Sequence, residues 1–313
     1  MLSLISNENF KIYIRLRTWI LTAIVVAAII VIAVILHAHQ HPNPNWKAGL
    51  MAQNAKLQQA MSSPHLPKDA VQQYKGMIAV NNYEIAHNLD PNLDTAWKFT
   101  ATAMNLSSLL VAFIVVIVGD IVAGEFGGGT IKMLLTQTAT RTKVLVSKYI
   151  AALLFALGLT AVMLGVSLLS GGLFFGFGGG GLPFPYVNPE HVAMQMSTSS
   201  YVLMQYGFLF VQVIMNMTIA FMISAIFRST ALAITISILA YLVGNTLVSV
   251  LANYYSWVKY ILFSNVDLSK YVIGGPLIHG MTLGFSITML VIYFVVMNGL
   301  AWFLFVKRDV ALT

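Results

Sequence analysis

The sequence predicts an all-α polytopic membrane protein with six transmembrane helices. Hydrophobic residues make up 58% of the 313 residues and charged residues only 9%, against roughly 25% charged residues in soluble domains. A bilayer core about 30 Å thick needs about 20 apolar residues in a helix. Six stretches are at least that long and contain no Asp, Glu, Lys or Arg: 18–46, 99–119, 149–189, 191–227, 229–258 and 271–306.

The same composition excludes several classes of protein. A water-soluble enzyme could not cover its surface at this charge density, and the abundance of apolar residues argues against disorder. The chain has no cysteine, which excludes disulfides, thiolate catalysis, zinc fingers and iron–sulfur clusters. The net charge of +7 invites a nucleic-acid partner. In a membrane protein, however, excess Lys and Arg usually lie in cytoplasmic loops, so no nucleic-acid partner is expected.

The predicted spans cover roughly 18–37, 101–121, 148–173, 200–224, 230–252 and 284–306. The first span is not expected to be a cleaved signal peptide, because its apolar run from Trp19 to Leu36 is too long and no small-residue cleavage site follows it. Residues 1–17 precede it and mix apolar with basic residues. This mixture suits an interfacial helix lying on anionic lipid.

Basic residues are unevenly divided between two sets of connecting segments, which alternate along the chain: 1–17, 122–147, 225–229 and 307–313 against 38–100, 174–199 and 253–283. The first set holds nine Lys and Arg in 55 positions, and the second holds seven in 120. Basic residues accumulate on the cytoplasmic side of membrane proteins. The chain is therefore predicted to be a multi-pass protein of the cytoplasmic membrane with both termini in the cytoplasm.

The three predicted outer segments differ in character. Residues 38–100 should form a small extracellular segment of two helices, separated where Pro64 and Pro67 interrupt the helical pattern. Residues 174–199, rich in Gly and Pro, are predicted to be a flexible connection. Residues 253–283 carry many aromatic rings, which favour the membrane interface. They predict a short broken helix that re-enters the outer leaflet.

Candidate metal ligands are few. His37, His39 and His41 have alternate-residue spacing, but loop histidines without further ligands are usually solvated, and whether these three bind metal stays open. Glu84 and His87 form a single Glu-x-x-His, whereas a di-iron site needs that motif from two helices. Neither a metal site nor a catalytic residue is therefore predicted.

The segment 122–147 is longer and more patterned than a connector between two spans needs to be. The glycines from Gly127 to Gly129 would end the preceding helix, and Thr130 could cap a new one. The new helix would carry an apolar patch beside Lys132, formed by Ile131, Leu134 and Leu135. A short amphipathic helix is suited to a groove in a partner protein.

This pattern resembles a known family. It reads Gly-Glu125-x4-Thr130-Ile-Lys-x-Leu-Leu, followed by Arg141 and by Ser-Lys148. It is similar to the membrane subunit of ABC-2 type transporters, in particular to the permeases of bacitracin and antimicrobial-peptide resistance exporters. The closing run from Phe303 to Val310 and the basic start before a Trp-led span resemble that family as well. The whole chain would then be one ABC-2 type transmembrane domain, 1–313, with residues 1–17 as an elbow helix and residues 122–147 as a cytoplasmic coupling loop.

The resemblance implies a non-catalytic permease subunit that moves a hydrophobic or amphipathic substrate outward, such as an antimicrobial peptide, a drug or a lipid-like molecule. ATP and Mg²⁺ would be bound by a separate cytosolic ABC ATPase dimer, since this chain contains no Gly-Lys pair and hence no Walker A motif. Two ATPase subunits would require a second copy of this chain or a related permease. The resemblance also implies a set of ATPase-coupling residues: Glu125, Thr130, Ile131, Lys132, Leu134, Leu135 and Arg141.

Several alternatives stay open. Asp120 and Glu125 flank the inner end of the second predicted span. They could gate the pathway or contact the ATPase, or they could be solvated acids that balance Lys132 and Arg141. For the whole chain, the alternatives are an ion-gradient-driven transporter and a non-transporting membrane immunity or sensor protein. The first often has charged residues at the membrane midplane and internal repeats, and neither is evident here.

Overall fold

The computed structural model is 79% helical. It describes residues 1–40, 44–63, 68–92, 94–127, 140–190, 192–227, 229–278 and 280–307. Six helices in these ranges are long and apolar enough to cross a membrane, and they are numbered here as spans one to six: Leu16–His39, Ala96–Gly127, Arg141–Phe175, Thr198–Ile226, Thr230–Leu251 and Leu283–Lys307. Each overlaps a predicted span, so the prediction of a multi-pass helical membrane protein is confirmed.

Spans two to five each begin after a hydroxyl residue. The side-chain oxygen of this residue accepts a hydrogen bond from a backbone N–H three positions on, which satisfies a donor that the helix cannot pair itself. The four capping residues are Thr95, Thr140, Ser197 and Ser229. The starts of these spans are therefore fixed by local sequence as well as by hydropathy.

Spans two and four form the centre of the bundle, and span three packs against both. The core between them is filled by large apolar side chains such as Ile114, Phe155 and Phe221. Span three approaches the start of span two closely, because a Cβ atom on Gly171 would lie 2.8 Å from the Ala96 carbonyl oxygen. Spans one, five and six expose most of their apolar residues, which suits contact with lipid or with another subunit.

A helix at the N-terminus, Leu2–Tyr13, packs against span three. Its last residues are tied to the start of span one, because Thr18 Oγ1 donates to the Ile12 carbonyl at 2.7 Å and Trp19 Nε1 donates to the Tyr13 carbonyl at 2.7 Å. The Tyr13 ring also meets Phe155 edge-on. The predicted helix is therefore present, while its contact with lipid stays a prediction.

The opposite end of the bundle, here called the distal end, carries two helices, Trp46–Met61 and Lys68–His87, in the first predicted outer segment. They pack together through amide hydrogen bonds, in which Asn54 donates to Asn82 and Asn81 donates to Asn54, both at 2.8 Å. The predicted helical segment therefore has two helices, as expected.

The segment 174–199 differs from its prediction as a flexible connection. Strands Pro183–Val187 and Ala193–Ser197 pair as an antiparallel hairpin, with Pro183 opposite Ser197. The hairpin packs against the helix Lys68–His87, and this support from a distant segment orders a stretch that its Gly and Pro content alone did not mark as strand.

The third predicted outer segment contains three short helical pieces: Ser256–Tyr260, Leu262–Asn265 and Leu268–Tyr271. It also contacts the hairpin, because the Gly274 N–H donates to the Val187 carbonyl at 2.9 Å. The broken helical character agrees with the sequence, and entry into the outer leaflet stays a prediction.

Candidate functional site

Span two is interrupted near its C-terminal end. Its helix Ser107–Gly119 ends at a turn over residues 120–122, and a short helix, Ala123–Gly127, follows. The sequence placed the end of this helix at the glycines from Gly127 onward, of which Gly128 and Gly129 lie outside the described residues. The break therefore comes earlier than predicted, and it leaves backbone N–H groups without helical partners.

Ser224 of span four satisfies two of these groups. Its buried Oγ accepts hydrogen bonds from the N–H of Val122 at 3.1 Å and from the N–H of Ala123 at 3.0 Å. A hydroxyl from a neighbouring helix thus takes the place of a local cap, and it fixes the short helix that carries Glu125.

A buried ion network joins three segments around this short helix. Lys148 of span three donates to Glu8 of the N-terminal helix and to Glu125, each over 2.6 Å. Lys11 donates to the same two carboxylates, at 2.8 Å to Glu8 and at 2.9 Å to Glu125. Two acids and two bases therefore alternate in one cluster with no net formal charge, here called the four-residue network.

Burial makes this network expensive to break. The side chain of Lys148 is only 1% exposed, and those of Glu8 and Glu125 are 7% and 8% exposed. Burial by itself would raise the pKa of Glu8, but the ammonium groups of Lys148 and Lys11 outweigh it and hold that pKa below the ordinary value. Burial would likewise lower the pKa of Lys11, and the carboxylates of Glu8 and Glu125 raise it overall. Glu8 and Lys11 therefore stay charged near neutral pH.

A second ion cluster lies at the break itself. Asp120 is 6% exposed, and both Arg15 and Arg17 donate to its Oδ2 atom, Arg17 over 2.5 Å. A Cβ atom on Gly124 would lie 2.6 Å from Oδ1 of Asp120, so glycine leaves the space that the carboxylate occupies. Arg15 directly precedes span one and Arg17 lies in its first turn, so the two arginines connect the start of span one to span two.

The structure places the predicted coupling residues unequally. Glu125 is buried in the four-residue network, and Arg141 begins span three, where its Nη1 donates to the Val306 carbonyl of span six at 3.0 Å. The remaining predicted residues lie outside the described part of the chain: Thr130, Ile131, Lys132, Leu134 and Leu135. Asp120 and Glu125 are buried and ion-paired, so the interpretation of both as solvated acids is wrong.

Sequence reasoning missed three members of the four-residue network as a site: Glu8, Lys11 and Lys148. Lys148 could have been identified, because this charged residue directly precedes an apolar stretch long enough to span the membrane. A charged residue at the edge of a span tends to face the bundle interior and to pair. Its partners could not be identified, since Glu8 is 140 positions away.

The candidate metal ligands do not form part of this site. The His37 ring lies against Phe174 and Phe175, and Nδ1 of His39 shares a hydrogen bond with the Ile35 carbonyl over 2.8 Å. His41 lies outside the described residues. Within the described ranges, no group of three His, Asp or Glu side chains could hold a metal ion.

Comparison with known proteins gives a consistent but unspecific result. Residues 71–311 match the family model described as "Protein of unknown function (DUF2705)". The chain is 38% identical to "Uncharacterized protein YhcI" of Bacillus subtilis strain 168, over 99% of this chain and 100% of that protein. It is 30% identical to "Uncharacterized membrane protein YdbK" of the same organism, over 77% of this chain and 93% of that protein. The second description agrees with the multi-pass architecture.

Proposed function

The chain belongs to the DUF2705 family. From the motif between Glu125 and Lys148 and from the buried ion network around it, we propose that the chain is the permease subunit of an ATP-driven exporter of the ABC-2 type. It would move a hydrophobic or amphipathic substrate out across the cytoplasmic membrane, with a separate cytosolic ATPase dimer supplying the energy. A second copy of the chain or a related permease would complete the transporter. The N-terminal helix would be its elbow helix, and the segment containing residues 128–139 its coupling element.

The observation that carries the proposal is the four-residue network. Glu125 and Lys148 lie on either side of residues 128–139, and their side chains are in contact within the protein. Glu8 and Lys11 add the N-terminal helix to the same contact. A displacement of the intervening segment by a partner protein would therefore reach spans two and three and the N-terminal helix together. This linkage is what a subunit driven from outside its own chain requires.

The charge distribution favours this proposal over a gradient-driven transporter. Such transporters often place ionisable residues near the membrane midplane. The six spans contain only two acidic residues, Asp120 and Glu125, and both lie at the same end of span two. No acid is therefore available at mid-depth in these spans to carry a coupled proton or sodium ion.

Partner binding through the intervening segment can be tested directly. We expect Leu134→Asp to abolish co-purification with the cognate ABC ATPase, because truncating a central apolar anchor typically costs about 2 kcal/mol or more, or roughly thirtyfold in affinity. Met51→Asp is the matched control, since Met51 is exposed at the distal end. Membrane abundance of both variants is measured alongside, so that loss of binding is not mistaken for loss of protein.

Two further results bear on the proposal. The purified chain alone should not hydrolyse ATP, and hydrolysis should appear on addition of the partner. Single cysteines at Gln58 and Thr138 should react with an impermeant thiol reagent from opposite sides of the membrane, Gln58 from outside. If the Leu134→Asp variant still binds the ATPase fully, and if cells that carry it still tolerate the exported compound fully, a non-transporting sensor or immunity protein is favoured instead.

A further inference from the structure

A pocket at the distal end has the features of a ligand site. It has a volume of about 630 Å³, which lies within the 300–1,000 Å³ range typical of sites for small molecules. Five segments line it: the helix Lys68–His87, residues 88–91 that follow it, the start of span two, the strand Pro183–Val187 and the start of span four. None of the residues of the four-residue network lines it.

One wall of the pocket is aromatic. Phe184 of the hairpin stacks on Tyr201 of span four, with ring centroids 3.9 Å apart and planes 24° from parallel. Leu89 and Leu182 extend this surface. Aromatic rings present large apolar faces whose negative electrostatic potential attracts cations. An apolar or aromatic body with a positive charge could therefore make favourable contacts here.

The lining of the pocket also carries an excess of negative charge. Glu84 and Asp90 line the pocket, and Lys98 is its one basic lining residue. The Lys98 ammonium donates to the Pro91 carbonyl. Burial raises the pKa of the half-buried Glu84 carboxylate above its ordinary value, and the nearby charge of Asp90 adds to this effect, while the ammonium group of Lys98 only partly offsets it. A cation placed beside Glu84 would compensate for the water that this carboxylate has lost.

We propose that this pocket binds drug-sized organic cations, in which an aromatic or apolar body packs on Phe184 and Tyr201 and a positive charge faces Glu84 and Asp90. The inference goes beyond the proposed exporter by naming a ligand class and a binding place at the distal end. It rests on the exporter only for the idea that the ligand is cargo, because binding itself requires no ATPase.

The test uses two ions of the same shape and opposite charge. Tetraphenylphosphonium and tetraphenylborate each carry four phenyl rings, so apolar contacts are matched and only the charge differs. Each is titrated calorimetrically into the purified full chain in neutral detergent, with the titration into empty micelles subtracted. We expect saturable binding of one phosphonium per chain and an affinity for borate lower by about tenfold or more.

Variants locate the binding. Glu84→Gln and Asp90→Asn should each weaken phosphonium binding by roughly fivefold, the upper value for a partly exposed charge pair. Glu190→Gln makes the same charge change at an exposed position of the hairpin turn outside the pocket, and it should leave the affinity unchanged. Asp90→Asn retains a side-chain oxygen to accept from the Asn92 N–H as Asp90 does, so it preserves the local turn if Glu84→Gln fails to fold.

Equal affinities for the two ions, or equal effects of Glu190→Gln and of the two pocket variants, would overturn the proposed cation site. These outcomes leave the exporter proposal untouched, because they involve no ATPase. Conversely, phosphonium binding that is weakened in the pocket variants, together with full partner binding in Leu134→Asp, would support the site and refute the coupling role of residues 128–139.

Discussion

The Nζ atom of Lys148 lies 2.6 Å from Oε1 of Glu125. This buried ion pair joins span two to span three, which residues 128–139 connect along the chain. Lys148 begins the apolar part of span three and Glu125 lies in the last turn of span two. The pair therefore fixes the distance between the two spans at the point where the intervening segment leaves one and enters the other. Glu8 makes the contact three-sided, because it accepts from the same ammonium group.

Removing the charge of Lys148 should destabilise the protein strongly. Lys148→Met removes the more deeply buried of the two ammonium groups that pair with Glu8 and Glu125, and breaking a buried pair from one side typically costs roughly 3–5 kcal/mol. Lys143→Met is the control, since Lys143 is exposed on the same helix. This substitution should change the free energy of unfolding by no more than about 0.5 kcal/mol. Thermal unfolding in detergent compares the two variants, and equal transition temperatures would contradict the role assigned to the network.

Loss of the Ser224 hydroxyl should destabilise the short helix that follows the break in span two. Ser224→Ala leaves the N–H groups of Val122 and Ala123 buried without an acceptor, at a cost of about 1–3 kcal/mol per group. Ser237→Ala removes an equally buried hydroxyl that donates only within its own helix, to the Ala233 carbonyl, and it should be nearly neutral. Hydrogen exchange of residues 122–127 should accelerate in the first variant alone. Unchanged exchange there would show that the short helix does not depend on span four.

The close approach of spans two and three predicts a difference between two glycines of one helix. The Cβ of Gly171→Ala would lie 2.8 Å from the Ala96 carbonyl oxygen and 2.9 Å from Ala96 Cα. The backbone must therefore shift, which should lower the free energy of unfolding by about 1–3 kcal/mol. Nothing lies within 4 Å of a Cβ at Gly165, so Gly165→Ala should be neutral or slightly stabilising through helix propensity. The thermal stabilities of the two variants test this, and the reverse order would rule out the packing described.

Docking of the N-terminal helix should be constant across a wide pH range. The pKa of Glu8 is below its ordinary value of 4.5, so its contribution is present above that pH and is lost as pH falls through the lower, folded value. The pKa of Lys11 is above its ordinary value of 10.5, so its contribution is complete below that pH and is lost as pH rises through the folded value. The contribution of these two groups to the hydrogen-exchange protection of the helix should therefore be constant between about pH 5 and pH 10.

Hydrogen exchange of residues 2–13, corrected for the intrinsic pH dependence of amide exchange, measures this docking. In Glu8→Gln the loss of protection at acid pH should become smaller, because one of the two carboxylates that pair with Lys11 is gone, while the loss at alkaline pH should remain. A change in protection between pH 6 and pH 8 that is present in the unmodified chain and absent in Glu8→Gln would contradict the assignment, because neither Glu8 nor Lys11 titrates there.

The sequence predicted local properties of the chain well. The number and place of the spans depend on the length of apolar runs relative to the bilayer, and this can be read one segment at a time. The two distal helices could be predicted for the same reason, since their apolar spacing and their separation by Pro64 and Pro67 are local signals. The caps at Thr95, Thr140, Ser197 and Ser229 are also local signals, but the predicted span starts did not use them.

Only the tertiary structure determined which residues from distant parts of the sequence are in contact. Glu125 was a candidate from its motif, but its contact with Lys148 across 23 positions and the contact of Lys148 with Glu8 across 140 positions depend on helix packing. The cap from Ser224 likewise comes from about 100 residues away. The hairpin at 183–197 packs on a helix that begins at Lys68. Apolar pattern determines which residues leave water, whereas partners for buried charges and for interrupted backbone exist only once the helices are packed together.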